Sequence, residues 1–211
     1  VNLGVGAPEF VASVANEEGI GDFMTLTVEG GAVGGVPAGG IRFGSAYNAD
    51  ALLDQGYQFD FYDGGGLDLC YLGLAECDPH GSINVSRFGP RIAGCGGFIN
   101  ITQCTPKVFF CGTFTAGGLK VKVEDGKVVI AQEGKQKKFV KSVEQVTFNG
   151  DIANENGQHV MYITERCVFV LKADGLHLTE IAPGIDLQTQ ILDQMEFEPI
   201  IDRDANGAIK L

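Results

Sequence analysis

Hydrophobic and polar residues follow two different periods along the first part of the chain. Residues 1–6 are typical of a strand end followed by a glycine turn, and residues 8–16 carry an apolar stripe with helical spacing that begins at Pro8. An apolar, β-branched run at residues 24–28 predicts the next strand. This strand–helix–strand order is typical of a parallel sheet.

The pattern continues with one more helix and then with several short strands. Asn48 is a candidate N-cap for a helix over residues 48–54, and a turn at Asp125 predicts a hairpin between residues 119–123 and 127–132. Asp186 predicts the cap of a helix that runs to about residue 195. Other strands are predicted at residues 58–62, 69–74, 107–111, 143–148, 159–164, 168–172 and 176–181. We therefore expect one α/β domain with a mainly parallel sheet and an antiparallel-leaning second half.

Charge and cysteine content narrow the function classes. The 211 residues carry a formal net charge of −12, which disfavours nucleic acid as a partner. No apolar stretch has the length of a membrane span. The six cysteines lie mostly in apolar runs without a Cys-x-x-Cys pair, so we interpret them as reduced thiols in a cytoplasmic protein without a structural metal.

The best candidate for chemistry is Glu29, which ends the apolar run at residues 24–28. Six of the eleven residues from 30 to 40 are glycine, so a ligand can approach the backbone around this carboxylate closely. In open α/β sheets, ligands bind outside the carboxyl ends of strands. A single glutamate at such a position is placed for covalent chemistry.

The other standard motifs are incomplete. Glycine-rich loops recur at residues 4–6, 30–40, 64–66 and 94–97. The first lacks the third glycine of a dinucleotide fingerprint, because position 9 is Glu9, and neither a Walker A lysine nor a Gly-x-Ser-x-Gly elbow is present. Cys95 is a weaker candidate nucleophile, because no histidine nearby in sequence would activate its thiol.

Taken together, the motifs match a known family. They occur in the order LGVGAP (residues 3–8), VEGG (28–31), DGGGLD (63–68), GCGG (94–97), ITERCVF (163–169) and EIAPGI (180–185). This ordered set resembles the β-type half of the class I CoA-transferases, in particular the single-chain propionate or acetate type. The resemblance implies a three-layer α/β/α fold. It also implies that residues 1–211 are the catalytic, C-terminal domain, with the N-terminal α-type domain outside this chain.

The resemblance further implies a reaction. Glu29 matches the glutamate that attacks an acyl-CoA thioester and becomes a glutamyl-CoA thioester, from which CoA passes to a second carboxylic acid in a ping-pong sequence. We expect Gly96 and Gly97 to bind the substrate through an oxyanion-stabilising amide, and Gly64, Gly65 and Gly66 to contact CoA.

The same resemblance supplies the expected ligands and partners. Coenzyme A is substrate and covalent intermediate, and no other cofactor is implied. The expected partners are acyl-CoA, short-chain carboxylic acids such as acetate and propionate, the N-terminal half of the enzyme and further copies in a homo-oligomer. Because the chain opens at Val1 in a predicted strand, we expect a piece of a longer polypeptide or a processed subunit.

Alternatives remain open for the function and for each site. An acyl-CoA hydrolase of the same superfamily would share the glutamate but admit water, whereas a non-catalytic effector-binding module would use no covalent chemistry at Glu29. Residues 96–97 and 64–66 are alternatively plain turns. Glu165 and Arg166 are interpreted as a structural ion pair.

Overall fold

The computed structural model describes residues 1–42 and 44–210 as a series of short elements. The strands are β1 (Asn2–Leu3), β2 (Ala32–Val33), β3 (Val36–Pro37), β4 (Ala46–Tyr47), β5 (Ala51–Leu52), β6 (Leu69–Gly73), β7 (Glu76–Cys77), β8 (Ile83–Asn84), β9 (Arg87–Phe88), β10 (Arg91–Ile92), β11 (Lys107–Cys111), β12 (Thr115–Ala116), β13 (Lys120–Glu124), β14 (Lys127–Gln132), β15 (Gln136–Lys137), β16 (His159–Ile163), β17 (Cys167–Lys172), β18 (Gly175–Ile181) and β19 (Ile200–Ile201). The α-helices are α1 (Phe10–Glu17), α2 (Gln55–Asp63), α3 (Phe98–Gln103), α4 (Gly150–Glu155) and α5 (Leu187–Gln190). Short 3-10 turns lie at Ala7–Glu9, Gly21–Phe23, Gly40–Arg42 and Leu192–Gln194.

The chain divides into two compact units. The first contains Val1–Gly73 and Cys95–Cys111, and the second contains Leu74–Gly94 and Gly112–Leu211. In the first unit, β6 pairs with both β1 and β11 in parallel, which confirms the predicted parallel arrangement. Two stacked aromatic pairs, Tyr71 with Phe109 and Phe98 with Phe110, add packing to this unit.

The second unit is antiparallel, as predicted. Strands β16, β17 and β18 form an antiparallel meander, and β19 joins β18 in parallel. The predicted hairpin is present as β13 and β14, and the positive φ angles of Asp125 and Gly126, 51° and 73°, match the tight turn that connects them. A buried cluster of Phe114, Phe139 and Phe169 forms part of the core.

Two predicted elements around residue 55 are wrong. No helix forms over residues 48–54, because Asn48 has a φ of 53° and cannot act as an N-cap, which needs extended backbone. The helix α2 begins after Asp54, whose carboxylate accepts a hydrogen bond of 3.0 Å from the N–H of Gly56. Residues 58–62 therefore belong to a helix instead of a strand. Their alternating aromatic and polar residues had indicated the wrong period.

Other predictions need smaller corrections. Residues 24–28 form no continuous strand. Thr27 makes single bridges to Asn2 and Val33, and separate backbone hydrogen bonds join Val28 to Ala32 and Gly34 to Leu26. Residues 143–148 are also irregular, apart from a bridge at Phe148. The predicted cap at Asp186 is confirmed by its hydrogen bond from the N–H of Thr189, although α5 ends at Gln190. Helices α3 and α4 were not predicted, because their short sequences carry no clear helical stripe.

Two features are absent from the described residues. Within residues 1–42 and 44–210, no helix is long and apolar enough to cross a membrane. The same residues bring no group of three or more histidine, cysteine or acidic side chains together as a metal site.

Candidate active site

Glu29 lies in a tight turn whose geometry requires glycine. The N–H of Gly31 donates to the carbonyl oxygen of Val28 at 2.9 Å, which closes the turn around Glu29 and Gly30. Gly31 has a φ of 107°, and a Cβ there would overlap the carbonyl oxygen of Leu53. A Cβ on Gly30 would also come within 2.7 Å of a neighbouring backbone oxygen. The two glycines thus allow the backbone to pack closely behind the carboxylate.

The carboxylate of Glu29 faces Gly97, the residue that precedes α3. A Cβ built on Gly97 would lie 2.6 Å from Oε2 of Glu29 and 2.9 Å from Cζ of Phe59 in α2. The missing side chain therefore leaves the space that the carboxylate occupies. The backbone N–H of Gly97 lies near enough to Glu29 to lower the pKa of its carboxyl group. The structure thus brings two predicted site residues, Glu29 and Gly97, into direct contact.

Burial sets the electrostatics of this carboxylate. The half-buried position of Glu29 raises the pKa of its carboxyl group, and the nearby N–H of Gly97 offsets part of that effect. Within the described residues, no lysine, arginine or histidine forms an ion pair with Glu29. A carboxylate with little solvation and no cation partner is more available for nucleophilic attack than a paired one.

The remaining predicted glycines have clear local roles. Gly96 has a φ of 51°, which favours glycine, and apart from its two chain neighbours no described residue has an atom within 4 Å of where its Cβ would be. The N–H groups of Gly65 and Gly66 bond to the carbonyls of Tyr62 and Phe61, so this loop ends α2 as a Schellman motif. The expected contact of Gly64, Gly65 and Gly66 with CoA, and the substrate-binding role of Gly96, stay predictions.

One residue of the site was missed by sequence reasoning. Phe59 borders the space beside Glu29 and Gly97, yet it lay in the segment wrongly predicted as a strand. The signals that identify its helix were present as Asp54 at one end and Gly65 at the other. Recognising these caps would have placed Phe59 and Tyr62 three residues apart on one helical face.

The predicted ion pair of Glu165 and Arg166 is confirmed, and it is part of a larger cluster in the second unit. The buried guanidinium of Arg166 contacts Glu165 at 2.8 Å and Glu133 at 2.7 Å. It also lies 5.0 Å from the ring centre of Phe114. Both carboxylates of this cluster are paired with Arg166, unlike the carboxylate of Glu29.

Several known proteins are similar in sequence to this chain. No protein-family model matches the chain. The chain is 54% identical over 200 residues to acetate CoA-transferase YdiF of Escherichia coli K12, covering 95% of the chain and 38% of that protein. It is also 54% identical over 209 residues to caffeate CoA-transferase of Acetobacterium woodii, covering 97% of the chain and 40% of that protein.

A solved structure agrees with these sequence matches. The crystal structure of the acyl-CoA transferase YdiF from Escherichia coli O157:H7, described as a thioester complex with CoA, superposes with a TM-score of 0.90. The identity is 53%, and the match covers 95% of this chain and 38% of that one. The predicted CoA-transferase-like α/β fold is thereby confirmed.

The fold and the ordered motifs define an α/β protein of the CoA-transferase type. Over nearly its whole length the chain is similar to CoA-transferases, and it spans about two fifths of the length of the relatives compared above.

Proposed function

We propose that this chain is the catalytic half of a CoA-transferase that moves coenzyme A between a short-chain acyl-CoA and a free carboxylic acid. Glu29 is the nucleophile, and the exchange runs as a ping-pong reaction. The observation that carries the proposal is the half-buried carboxylate of Glu29, which contacts the N–H of Gly97 and has no cation partner among the described residues. The names of the relatives and the CoA thioester complex of YdiF support the same reaction.

The chemistry balances through two covalent intermediates. One oxygen of the Glu29 carboxylate attacks the thioester carbonyl of the acyl-CoA, which forms a mixed anhydride and releases the CoA thiolate. The thiolate then attacks the glutamyl carbonyl, which forms a glutamyl-CoA thioester and releases the first acid. A second carboxylate repeats the sequence in reverse and leaves as the new acyl-CoA. Covalent catalysis thus divides one difficult exchange into easier steps.

Gly97 stabilises the charge that develops on Glu29 itself. When the thiolate attacks the glutamyl carbonyl, the oxygen that becomes negative is the glutamate oxygen that does not link to the acyl group. In the structure, Oε2 of Glu29 is the oxygen closest to the space left open at Gly97. A preorganised backbone N–H at that position stabilises the tetrahedral intermediate without an added cation.

The acid substrates are proposed as short-chain acids such as acetate and propionate. Sequence similarity alone does not select them, because relatives named for acetate and for caffeate are both 54% identical to this chain. We propose that an N-terminal half completes the site, since the chain spans only about two fifths of these relatives. We also propose that the assembled enzyme is a homo-oligomer, that the glycines at 64–66 contact CoA, and that no further cofactor takes part.

Mass measurement tests the nucleophile directly. The protein, assembled with its N-terminal half, is mixed with acetyl-CoA, quenched and digested, and the peptide that contains Glu29 is weighed. We expect a CoA adduct on Glu29 that disappears when acetate or propionate is added. Glu29→Ala should lose the adduct and lower exchange by more than about 1000-fold. Glu17→Ala, which changes an exposed glutamate at the end of α1, is the matched control.

Other outcomes of this experiment select the alternatives. Release of free acetate without an acceptor acid would identify a hydrolase instead of a transferase. Absence of both adduct and turnover in the assembled protein would favour an effector-binding module. Exchange that survives in Glu29→Ala would show that another residue is the nucleophile.

A further inference from the structure

A buried network of four polar side chains centres on the hydroxyl group of Tyr62. This hydroxyl accepts hydrogen bonds from Nε2 of Gln58 at 2.8 Å and from Nδ2 of Asn2 at 3.0 Å. It donates to Oγ1 of Thr27 at 3.0 Å. Thr27 in turn donates from Oγ1 to the carbonyl oxygen of Val1 at 3.2 Å. The proton and both lone pairs of the Tyr62 hydroxyl are therefore used.

This network holds the segment that leads into Glu29. Thr27 lies two residues before Glu29, where the backbone is extended but bridged only at single positions. Nδ2 of Asn2 also lies 3.3 Å from the carbonyl oxygen of Thr27. Backbone hydrogen bonds of Thr27 to Val1 and of Val28 to Ala32 hold the segment at single positions. The side-chain hydrogen bonds of Asn2 and Tyr62 add to them at Thr27.

Helix α2, which contains Tyr62, also contributes Phe59 to the site. Tyr62 and Phe59 lie three residues apart in α2, and their rings make an edge contact with centres 5.5 Å apart. Phe59 borders the space beside Glu29 and Gly97. Tyr62 therefore contacts Phe59 through its ring and Thr27 through its hydroxyl group. The charge of Glu29 also adds to burial in raising the pKa of Tyr62, so the two groups lie within each other's electrostatic field.

The network is costly for folding. No described protein group donates to Oδ1 of Asn2 or to Oε1 of Gln58, although both side chains are fully buried. Buried acceptors without donors destabilise a fold. Such local violations are expected where a site requires a fixed geometry.

We infer that Tyr62 is a positioning residue whose hydroxyl group, through Thr27, holds the Glu29 turn at the geometry required for attack. This role rests on the proposed function of Glu29. A misplacement of about 1 Å at a reacting group can lower a rate by about 100-fold, so a residue that touches no substrate can still control the rate.

The test compares Tyr62→Phe, Thr27→Val, their double variant and Thr27→Ser, each assembled with the N-terminal half. The rate of adduct formation on Glu29 after mixing with acetyl-CoA is followed by rapid quench and mass measurement. We expect Tyr62→Phe and Thr27→Val each to lower this rate by about 10- to 100-fold, with the KM for acetyl-CoA changed less than threefold. Thr27→Ser, which keeps the hydroxyl group, should stay within about threefold of wild type.

Tyr71→Phe is the matched control, because it removes a tyrosine hydroxyl from β6 in the same unit while Tyr71 stacks on Phe109 at 4.8 Å. It should leave the rate within about twofold of wild type. The double variant should be no slower than the slower single variant, because both changes break one hydrogen-bond path.

Several results would overturn the inference. A Tyr62→Phe rate equal to that of Tyr71→Phe would overturn it and leave the function of Glu29 intact. Rate losses that multiply in the double variant would show separate roles for the two hydroxyls. If Tyr62→Phe does not fold, a wild-type rate in Thr27→Val gives the same negative answer. Failure of the wild-type protein to form any adduct would remove the proposed function and this inference together.

Discussion

Two glutamates, one in each unit, have pKa values that their surroundings shift in opposite directions. Burial alone would raise the pKa of Glu133, but hydrogen bonds from Arg166 and Thr115 lower it to about 2. Burial also raises the pKa of Glu29, and there only one backbone N–H, from Gly97, opposes it. The first carboxylate is neutralised by a buried guanidinium at 2.7 Å, whereas the second forms no ion pair with the described residues.

This difference separates a structural carboxylate from one available for chemistry. A carboxylate with a bidentate arginine has its lone pairs occupied, and removing it from that partner is unfavourable. Glu29 keeps an uncompensated charge in a partly buried position, which destabilises the fold but leaves an oxygen free to attack. The pKa shifts of opposite direction therefore show that the two carboxylates lie in opposite electrostatic environments.

Removing the cation should have the largest effect on stability. Arg166→Met leaves Glu133 and Glu165 in partly buried positions without their partner, so we expect the free energy of unfolding to fall by about 3–5 kcal/mol at pH 7. Chemical denaturation measures this change. Arg203→Met, at an exposed arginine that donates a hydrogen bond to the carbonyl oxygen of Gly207, should cost less than about 0.5 kcal/mol.

The pH dependence of the free energy of unfolding tests whether the loss in Arg166→Met comes from the broken ion pair. Because the pKa of Glu133 is lowered to about 2 in the folded protein, its stabilising contribution is present above the unfolded value and disappears as the pH falls toward 2. The gap between wild type and Arg166→Met should therefore narrow below about pH 5. A gap independent of pH would indicate lost packing instead of lost pairing.

A methyl side chain at Gly97 should strongly lower the rate of catalysis. The backbone of Gly97, with φ −80° and ψ 1°, accommodates alanine without strain, but the added Cβ would lie 2.6 Å from Oε2 of Glu29. We expect Gly97→Ala to lower kcat by about 100- to 1000-fold while the protein stays folded. Steady-state exchange kinetics and circular dichroism measure both properties.

Gly73→Ala is the control for this substitution. A Cβ there meets only an ordinary contact of 3.6 Å, and its kcat should stay within about threefold of wild type. If Gly97→Ala turned over like Gly73→Ala, or unfolded, the loop at Gly97 would have a purely structural role.

The smallest expected effect is a gain in stability. Because burial raises the folded pKa of Glu29, the native state favours the protonated form, and stability falls as the pH rises through that pKa. At pH 7 the ionised carboxylate is therefore unfavourable, and Glu29→Gln should raise Tm by about 1–4 °C. The gain should vanish below about pH 4.

Glu133→Gln should change stability in the opposite direction, since it removes the charge that Arg166 pairs with. Thermal unfolding of Glu29→Gln and Glu133→Gln at pH 7 therefore tests whether the two carboxylates have opposite effects on stability. A decrease in Tm for both would mean that Glu29 is also a stabilising carboxylate.

Sequence reasoning was most successful where one short segment carries the whole signal. The apolar runs that became β6, β11 and β16 need no distant partner to be recognised as strands, and the Asp-Gly turn at 125–126 predicts its own hairpin. It failed at α2, whose residues 57–62 alternate aromatic and polar side chains like a strand. The cap at Asp54 and the glycine ending at Gly65 decide that segment, because they satisfy the terminal backbone groups of a helix.

The order of motifs along the chain was sufficient to recognise the family and to single out Glu29 as the nucleophile to test. The glycines that follow Glu29 also define its turn locally, because only residues without a Cβ fit beside Leu53 and Gly44. Tertiary structure decided which groups surround that carboxylate. The contact with Gly97, the anchoring of Thr27 by Tyr62 and the pairing of Glu133 with Arg166, 33 residues apart, join segments distant in sequence. Local propensity carries no information about such pairs, because packing of the folded chain brings them together.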